Sequence, residues 1–199
     1  LASEIDKYAI EIARKNHPDT IHIGDITKLQ GMHGIDLLIG GSPCQGFSFA
    51  GKGLNFDDPR SKLFFEFHRI LEETKPKYFL LENVRMKKES MAVITDYLGV
   101  EPIEINSSLV SAQNRVRLYW TNIPGIKQPD DKGISLKDIV LDNEYTKGAA
   151  MRGRYDSTGK AKQQIETRKD NKSNALTTVS KDTILVNKEN KWRNLSVIE

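Results

Sequence analysis

The chain has 199 residues, 38% hydrophobic and 29% charged, which suits one medium domain, or one domain with a small appendage, and allows a sizeable core. No apolar run approaches the roughly 20 residues of a membrane-spanning helix, no secretory signal pattern opens the chain, and a lone cysteine excludes an internal disulfide, so a reducing, cytoplasmic home is expected. A net charge of +3 does not by itself announce a polyanion binder. Its distribution says more: between Lys147 and Lys172, Arg152, Arg154, Lys160, Lys162, Arg168 and Lys169 outnumber Asp156, Glu166 and Asp170. That segment reads either as a mobile, solvated loop or as one that lies along phosphates.

In chain order, Ile5, Tyr8, Ala9, Ile12 and Ala13 predict an amphipathic helix over 3–15, with Ser3 and Asp6 as a capping pair. His17-Pro18 ends it, and Thr20 to Ile23 reads as a short strand leading to Gly24-Asp25-Ile26. A buried strand over 35–39 runs into Gly40-Gly41-Ser42-Pro43-Cys44-Gln45-Gly46-Phe47-Ser48, a loop stiffened by Pro43 and opened by glycines. After a long polar connection, Leu63, Phe64, Phe67, Ile70 and Leu71 form one face of a helix that closes before Lys75-Pro76. Tyr78 to Leu81 has the pattern of a strand buried on both faces, with Glu82-Asn83 at its carboxyl end. A helix carrying Met91, Ile94, Tyr97 and Leu98 stops at Gly99, and strands over 100–105 and 118–121 bracket Ser111 to Arg117. Beyond Pro124 the texture turns polar and basic, with a short helix over 136–141 and strands over 175–179 and 183–186 that turn at Ser180-Lys181-Asp182. The alternation predicts an α/β fold with a doubly wound, mostly parallel sheet, whose ligands gather beyond the carboxyl ends of its strands.

Cys44 and Glu82 are both expected at such ends. A lone cysteine is most often a small buried hydrophobe, and its neighbours shift that balance. A thiolate, a carboxyl group and two arginines at neighbouring strand ends form a set suited to attack on an electron-poor ring. After four apolar residues, Glu82 reads either as a desolvated carboxyl that is protonated or shares a proton with a ring nitrogen, or as a solvent-facing carboxylate at a strand end. Arg115 and Arg117 alternate at a strand edge, so their heads would share one face, either to hold a carbonyl oxygen, a phosphate or Glu82, or as an ordinary surface pair, which the polar string between two apolar strands disfavours.

Taken together, Ser3-Glu4-Ile5-Asp6, Gly24-Asp25-Ile26, Gly41 to Ser48, Asp58-Pro59-Arg60-Ser61-Lys62-Leu63, Glu82-Asn83-Val84 and Gln113-Asn114-Arg115-Val116-Arg117 resemble, in order and spacing, the motifs of the DNA (cytosine-5)-methyltransferases. The match runs to about Ile123, and Arg193-Asn194-Leu195-Ser196 with Glu199 is similar to the start of a later motif. The resemblance implies the Rossmann-like fold of S-adenosylmethionine-dependent methyltransferases, with a partial catalytic domain over 1–124, a basic target-recognition region over 125–191 and a return segment over 192–199. It implies that Cys44 adds to carbon 6 of a flipped-out cytosine in double-stranded DNA. Glu82 would hold the ring nitrogen and amine, Arg117 the base oxygen, and Arg115 would support Glu82 or the backbone. Ser42, Pro43, Gln45, Ser48, Asn83 and Gln113 would line the substrate side.

For the cofactor, S-adenosylmethionine, the same resemblance implies Glu4 on the ribose hydroxyls, Ile5 against adenine, Asp25 and Ile26 at the adenine amine and ring, and Leu63 nearby. Membrane and metal have no part in it. The Gly-rich strand that precedes the first matched motif in the family, and its C-terminal helix, are not in this sequence. The chain therefore reads as a piece of a larger protein, expected to bind cofactor poorly alone and to fold unstably without those parts. A tRNA cytosine methyltransferase and a catalytically silent DNA-binding relative are the alternatives; the presence of both Cys44 and Glu82 disfavours the silent one.

Overall fold

The computed structural model describes residues 1–42, 63–142, 144–176 and 179–195. They divide into two units: Leu1–Ile103 with Arg117–Ile126, and Glu104–Val116 with Lys127–Glu199. The chain thus leaves the first unit near Ile103, returns at Arg117 and leaves again after Ile126.

In the first unit, α1 (Lys7–Asn16) begins at the N-cap Asp6, whose carboxylate accepts the amides of Tyr8 and Ala9 at 2.9 Å each. The helix therefore starts four residues later than its apolar spacing predicts, and the cap belongs to Asp6 without Ser3. Instead, the Ser3 hydroxyl donates to the carbonyl of Gly24 at 2.7 Å. The apolar stripe of α1 is present but exposed, with Tyr8 at 65% and Ile12 at 59%. The strand expected over 20–23 contracts to a single parallel bridge between Ala2 and His22, closed by Ala2 N–H to Ile21 and Ile23 N–H to Ala2.

Strand β1 (Leu37–Gly41) is followed by α2 (Leu63–Thr74), β2 (Tyr78–Val84), α3 (Lys88–Leu98), β3 (Ile103–Asn106) and β4 (Val116–Thr121). Gly99, at φ 66°, ends α3 in the left-handed conformation that its sequence position predicts. β1 runs parallel to β2, and β2 runs antiparallel to β4. The described sheet of this unit is therefore mixed, where the sequence predicts a mostly parallel one; the direction of a neighbouring strand is not encoded in the local apolar pattern. One face of β2, through Phe79 and Leu81, packs with Phe64, Phe67, Ile94, Leu98, Leu118 and Trp120 into a single core. The Trp120 indole N–H in that core donates to Thr95 Oγ1 at 3.0 Å.

The other face of this sheet is open among the described residues. Leu37 and Ile39 on β1 are 45% and 64% exposed, and β2 alternates between half-buried and buried residues. Neither strand is thus buried on both faces as the apolar runs predict. β1 also reaches two residues further than expected, which makes Gly40 and Gly41 strand residues. Gly40 faces the core so closely that a Cβ there would meet Phe67 Cδ2 at 2.5 Å.

The second unit holds an antiparallel sheet of order β6-β5-β7-β8, built from β5 (Lys147–Tyr155), β6 (Ala161–Thr167), β7 (Ile184–Val186) and β8 (Trp192–Asn194). The basic segment, read either as a solvated loop or as one lying along phosphates, is mostly this β5–β6 hairpin and not a loop. Its turn is organised by Asp156, whose Oδ1 accepts the Thr158 and Lys160 amides at 2.8 and 3.0 Å, and by Gly159 at φ 79°. At the base of the hairpin Ala149, Ile184 and Val186 are buried, with Met151 and Ile165 against them. The segment expected as a helix over 136–141 is a single 3-10 turn, Leu136–Asp138, with a Ser135/Asp138 capping box. No strand forms over the described part of 175–179; Ser180–Asp182 is another 3-10 turn.

Candidate active site

Two loci in the first unit gather part of the residues that the sequence singles out. The first lies on the open face of the mixed sheet. Glu82 sits opposite Tyr119, and Val84 opposite Arg117, so Glu82 and Arg117 are diagonal neighbours on one face. Arg117 Nε donates to Glu82 Oε1 at 2.7 Å, with the side chains 17% and 33% exposed. Glu82 is thus a residue within β2, not one beyond its end. A polar side chain is accommodated there because the neighbouring strand supplies a cation.

Gly41 pairs with Glu82 from the β1 side, and a Cβ at Gly41 would stand 3.3 Å from Glu82 Oε2. The carboxylate therefore has one oxygen held by Arg117 and the other directed at a bare glycine backbone. Gly41 has no side chain from which to read such a role; the signal in the sequence is only that a glycine precedes Ser42-Pro43-Cys44.

Asn83 points to the opposite, buried face and is 1% exposed. Its Nδ2 donates to Ser42 Oγ at 2.9 Å, and its Oδ1 accepts the Val84 amide at 2.8 Å. Asn83 holds the residue from which the chain enters the cysteine loop. Ser42 is held in the same pair, so β1 and β2 present Gly41-Ser42 and Glu82 side by side. Pro43, Cys44, Gln45 and Ser48 lie outside the described residues.

Arg115 and Gln113 belong to the second unit. Arg115 precedes the first residue of β4; its amide donates to Asn106 Oδ1 at 3.1 Å, and its carbonyl accepts the Ser107 amide at 3.1 Å. Gln113 bridges to Ser173 in parallel pairing. The expectation that Arg115 and Arg117 lie together along one strand edge thus changes: Arg117 alone lies within β4.

The second locus lies beside the Ala2–His22 bridge. Two parallel stubs run out together here, one into Glu4-Ile5 and the other into Asp25-Ile26, with Ser3 and Gly24 hydrogen-bonded between them. Glu4 Oε1 accepts the amides of Ile5 and Asp6 at 2.7 and 2.9 Å. Asp25 Oδ1 accepts the Thr27 amide at 2.9 Å and its hydroxyl at 2.8 Å. The amide bond first, then the hydroxyl, lowers the Asp25 carboxyl below its ordinary range and keeps it an acceptor.

Ile5 is 74% exposed beside these carboxylates. Two hydrogen-bond acceptors at adjacent strand ends and an uncovered aliphatic surface fit the hydroxyls, amine and flat ring of an adenosine group. Arg69 of α2 was not singled out from the sequence. It pairs with Glu66 at 2.8 Å and Glu73 at 3.1 Å, and its Nη2 donates to the Ile26 carbonyl at 2.9 Å, fixing that end of the locus. Its only signal is a pair of glutamates at helical spacing. Leu63 is the first residue of α2.

The first unit thus carries an Arg-paired glutamate on a sheet face and two carboxylate acceptors at paired strand ends. Matches to known proteins give the family. The family model of the C-5 cytosine-specific DNA methylases matches residues 1–199, and the chain belongs to that family. It is 34% identical to the type II methyltransferase M1.ScrFI of Lactococcus lactis subsp. cremoris over 212 residues, covering 94% of this chain and 53% of that protein. It is 51% identical to the type II methyltransferase M.NlaIV of Neisseria lactamica over 139 residues, covering 60% of this chain and 33% of that protein. The chain thus spans about a third to a half of the curated relatives it matches. In fold it is similar to a crystal structure described as a DNA modification methyltransferase encoded within a prophage (E. coli), with a TM-score of 0.54 and 24% identity over 76% of this chain and 51% of that one.

Proposed function

We propose that the protein is a DNA cytosine-5 methyltransferase of the restriction-modification kind, acting on a cytosine turned out of double-stranded DNA. The observation that carries this reading is the Arg117–Glu82 pair, placed on the open sheet face beside the strand end that leads through Ser42 to Cys44. The Cys44 thiolate adds to carbon 6, forming an S–C6 bond and moving electron density toward carbon 5. Glu82 holds the ring nitrogen and exocyclic amine, with Oε1 fixed by Arg117, and moves a proton at the ring nitrogen.

S-adenosylmethionine, when bound, supplies the electrophilic methyl group that carbon 5 accepts. Loss of the carbon 5 proton to a base then returns electrons to the ring, the S–C6 bond breaks, and the thiolate leaves. Glu4, Ile5, Asp25 and Ile26 hold the cofactor's adenosine in this reading, within a Rossmann-like fold. The polar face of the β5–β6 hairpin serves target recognition.

The test uses the full-length protein with labelled cofactor and duplex DNA or tRNA. Methyl transfer to duplex DNA alone is expected; transfer to tRNA alone would overturn the reading. With duplex DNA carrying 5-fluorocytosine, from which no proton can depart, a covalent complex is expected, and Cys44→Ser abolishes it. A complex that survives that substitution would remove Cys44 from its role.

A further inference from the structure

Resting on the methyltransferase reading, we infer that Lys172 is a positioning residue. It fastens the segment leaving the β5–β6 hairpin to the turn that delivers Arg115 and Arg117, so that recognition is transmitted to the rate of methyl transfer.

The hairpin ends at Thr167, and within the next five residues the chain bonds to β5, to the Leu136 turn and to the segment around the Ser107–Leu109 turn. The Arg168 amide donates to the Gly148 carbonyl at 2.7 Å, and the Arg168 guanidinium pairs with Asp170 and donates to Asn174 Oδ1 at 2.8 Å. Asn171 takes the left-handed conformation at φ 54°, and its carbonyl accepts the Leu136 amide at 2.8 Å. Lys172 then directs its ammonium at three backbone carbonyls: Ser108 at 2.7 Å, Ser111 at 3.1 Å and Ile134. An ammonium has three donors and no acceptor, and here all three are used.

Ser108 and Ser111 flank the end of the 3-10 turn Ser107–Leu109, from which Ala112-Gln113-Asn114-Arg115 departs. The next residue, Ser173, is 4% exposed and continues the attachment: its amide donates to Ala112 at 2.7 Å, and its carbonyl accepts the Asn114 amide at 2.9 Å. The stretch leading into the arginine motif is therefore held at Ser108, Ser111, Ala112 and Asn114 by the hairpin's exit segment. Packing enforces the same path, since a Cβ on Gly148 of β5 would meet the Lys172 carbonyl oxygen at 2.2 Å. Displacement of the hairpin along its own axis would drag Lys172 and Ser173, and with them the Ser107–Leu109 turn and the Ala112–Asn114 stretch before Arg115.

The experiment compares wild type, Lys172→Met and Lys172→Arg in the full-length protein, after the methylated site has been mapped in cells that express it. Single-turnover methyl transfer is measured on duplexes carrying the site and on duplexes with one altered base pair. Wild type separates the two by rate. Lys172→Met is expected to reduce that separation at least about fivefold, with the Kd for the site within about threefold, and Lys172→Arg to restore part of it, because a planar guanidinium cannot reach three converging carbonyls equally.

A smaller reduction, or equal slowing of both substrates, overturns the inference, since a merely structural loss slows both alike. If Lys172→Met does not fold, hydrogen exchange of the Asn114 amide in wild type decides: greater protection on the site than on the altered duplex supports the coupling, and equal protection overturns it. Absence of methyl transfer by wild type would remove the enzymatic reading itself, whereas an active wild type with unchanged discrimination in Lys172→Met removes only this inference.

Discussion

Arg117 Nε donates to Glu82 Oε1 at 2.7 Å across an antiparallel strand pair, two residues along β4 from Tyr119, the direct partner of Glu82. The carboxylate is thereby fixed at one oxygen while the other stays toward Gly41. Removing the guanidinium leaves Glu82 without its orienting donor, and Arg117→Ala is expected to lower single-turnover methyl transfer about 10²-fold to 10³-fold. Arg117→Lys recovers part of this, since a point charge does not reproduce the directed Nε bond. Glu82→Gln keeps the shape and loses the proton transfer, lowering the same rate about 10²-fold to 10⁴-fold.

The two glycines at the end of β1 separate stability from activity. A Cβ at Gly40 would meet the buried Phe67 ring at 2.5 Å, so Gly40→Ala is expected to destabilise the protein by about 1–3 kcal/mol through overpacking. Adding Phe67→Leu should return part of that stability in urea denaturation. Gly41→Ala instead places its methyl 3.3 Å from Glu82 Oε2. It is expected to slow methyl transfer about tenfold or more while unfolding midpoints change little.

Asn83 is buried, and both ends of its amide are used. Asn83→Ala strands the Ser42 hydroxyl and the Val84 amide, a loss of about 1–3 kcal/mol in denaturant unfolding. Because Ser42 leads into the cysteine loop, the rate of covalent complex formation with 5-fluorocytosine DNA should fall as well. Ser42→Ala, which removes only the hydroxyl partner, should show a smaller effect on both measurements.

Asp170 carries a prediction for acid. The hydrogen bond from Arg168 is the main reason its carboxyl is lowered to about 2, against the opposing effect of partial burial. A depressed folded-state value stabilises the fold above the unfolded carboxylate range near 4 and ceases to do so as pH falls through about 2. Carboxyl chemical shifts should therefore place the Asp170 midpoint near 2, and Arg168→Ala should move it up toward the ordinary range. The hairpin exit should loosen over the same interval, seen as faster exchange of the Lys172 amide, which bonds to Asp170 Oδ1 at 3.2 Å.

Much of the first unit is legible in the sequence because its signals are local. The aromatic face of α2, the Gly99 stop of α3 and the apolar core of β2 each follow from side-chain periodicity. The chemistry of Glu82 and Arg117 is legible too, although its placement is not: nothing local says that β2 continues through Glu82 to Val84, or that β4 runs against it. The hairpin is the largest difference. Beyond Met151 and Ile165 its two strands carry Arg152, Gly153, Arg154, Lys162, Gln163 and Gln164, so no period of two in hydrophobicity marks them. The backbone ladder, the Arg154–Glu166 pair at 2.6 Å and the Asp156 turn hold it. Lys172 was likewise invisible, since a lysine that satisfies three carbonyls reads in sequence as one more surface cation.

The second unit is made of two stretches, Glu104–Val116 and Lys127–Glu199, with a return to the first unit between them. Exchange of specificity between relatives is easiest to picture as a cut after Ile126 and replacement of everything downstream. Such a graft would import a foreign exit segment while retaining the native Ser108, Ser111, Ala112 and Asn114 backbone that Lys172 and Ser173 hold. A transplantable cassette in this protein therefore has four ends rather than two, and the short stretch from 104 to 116 has to travel with the long one.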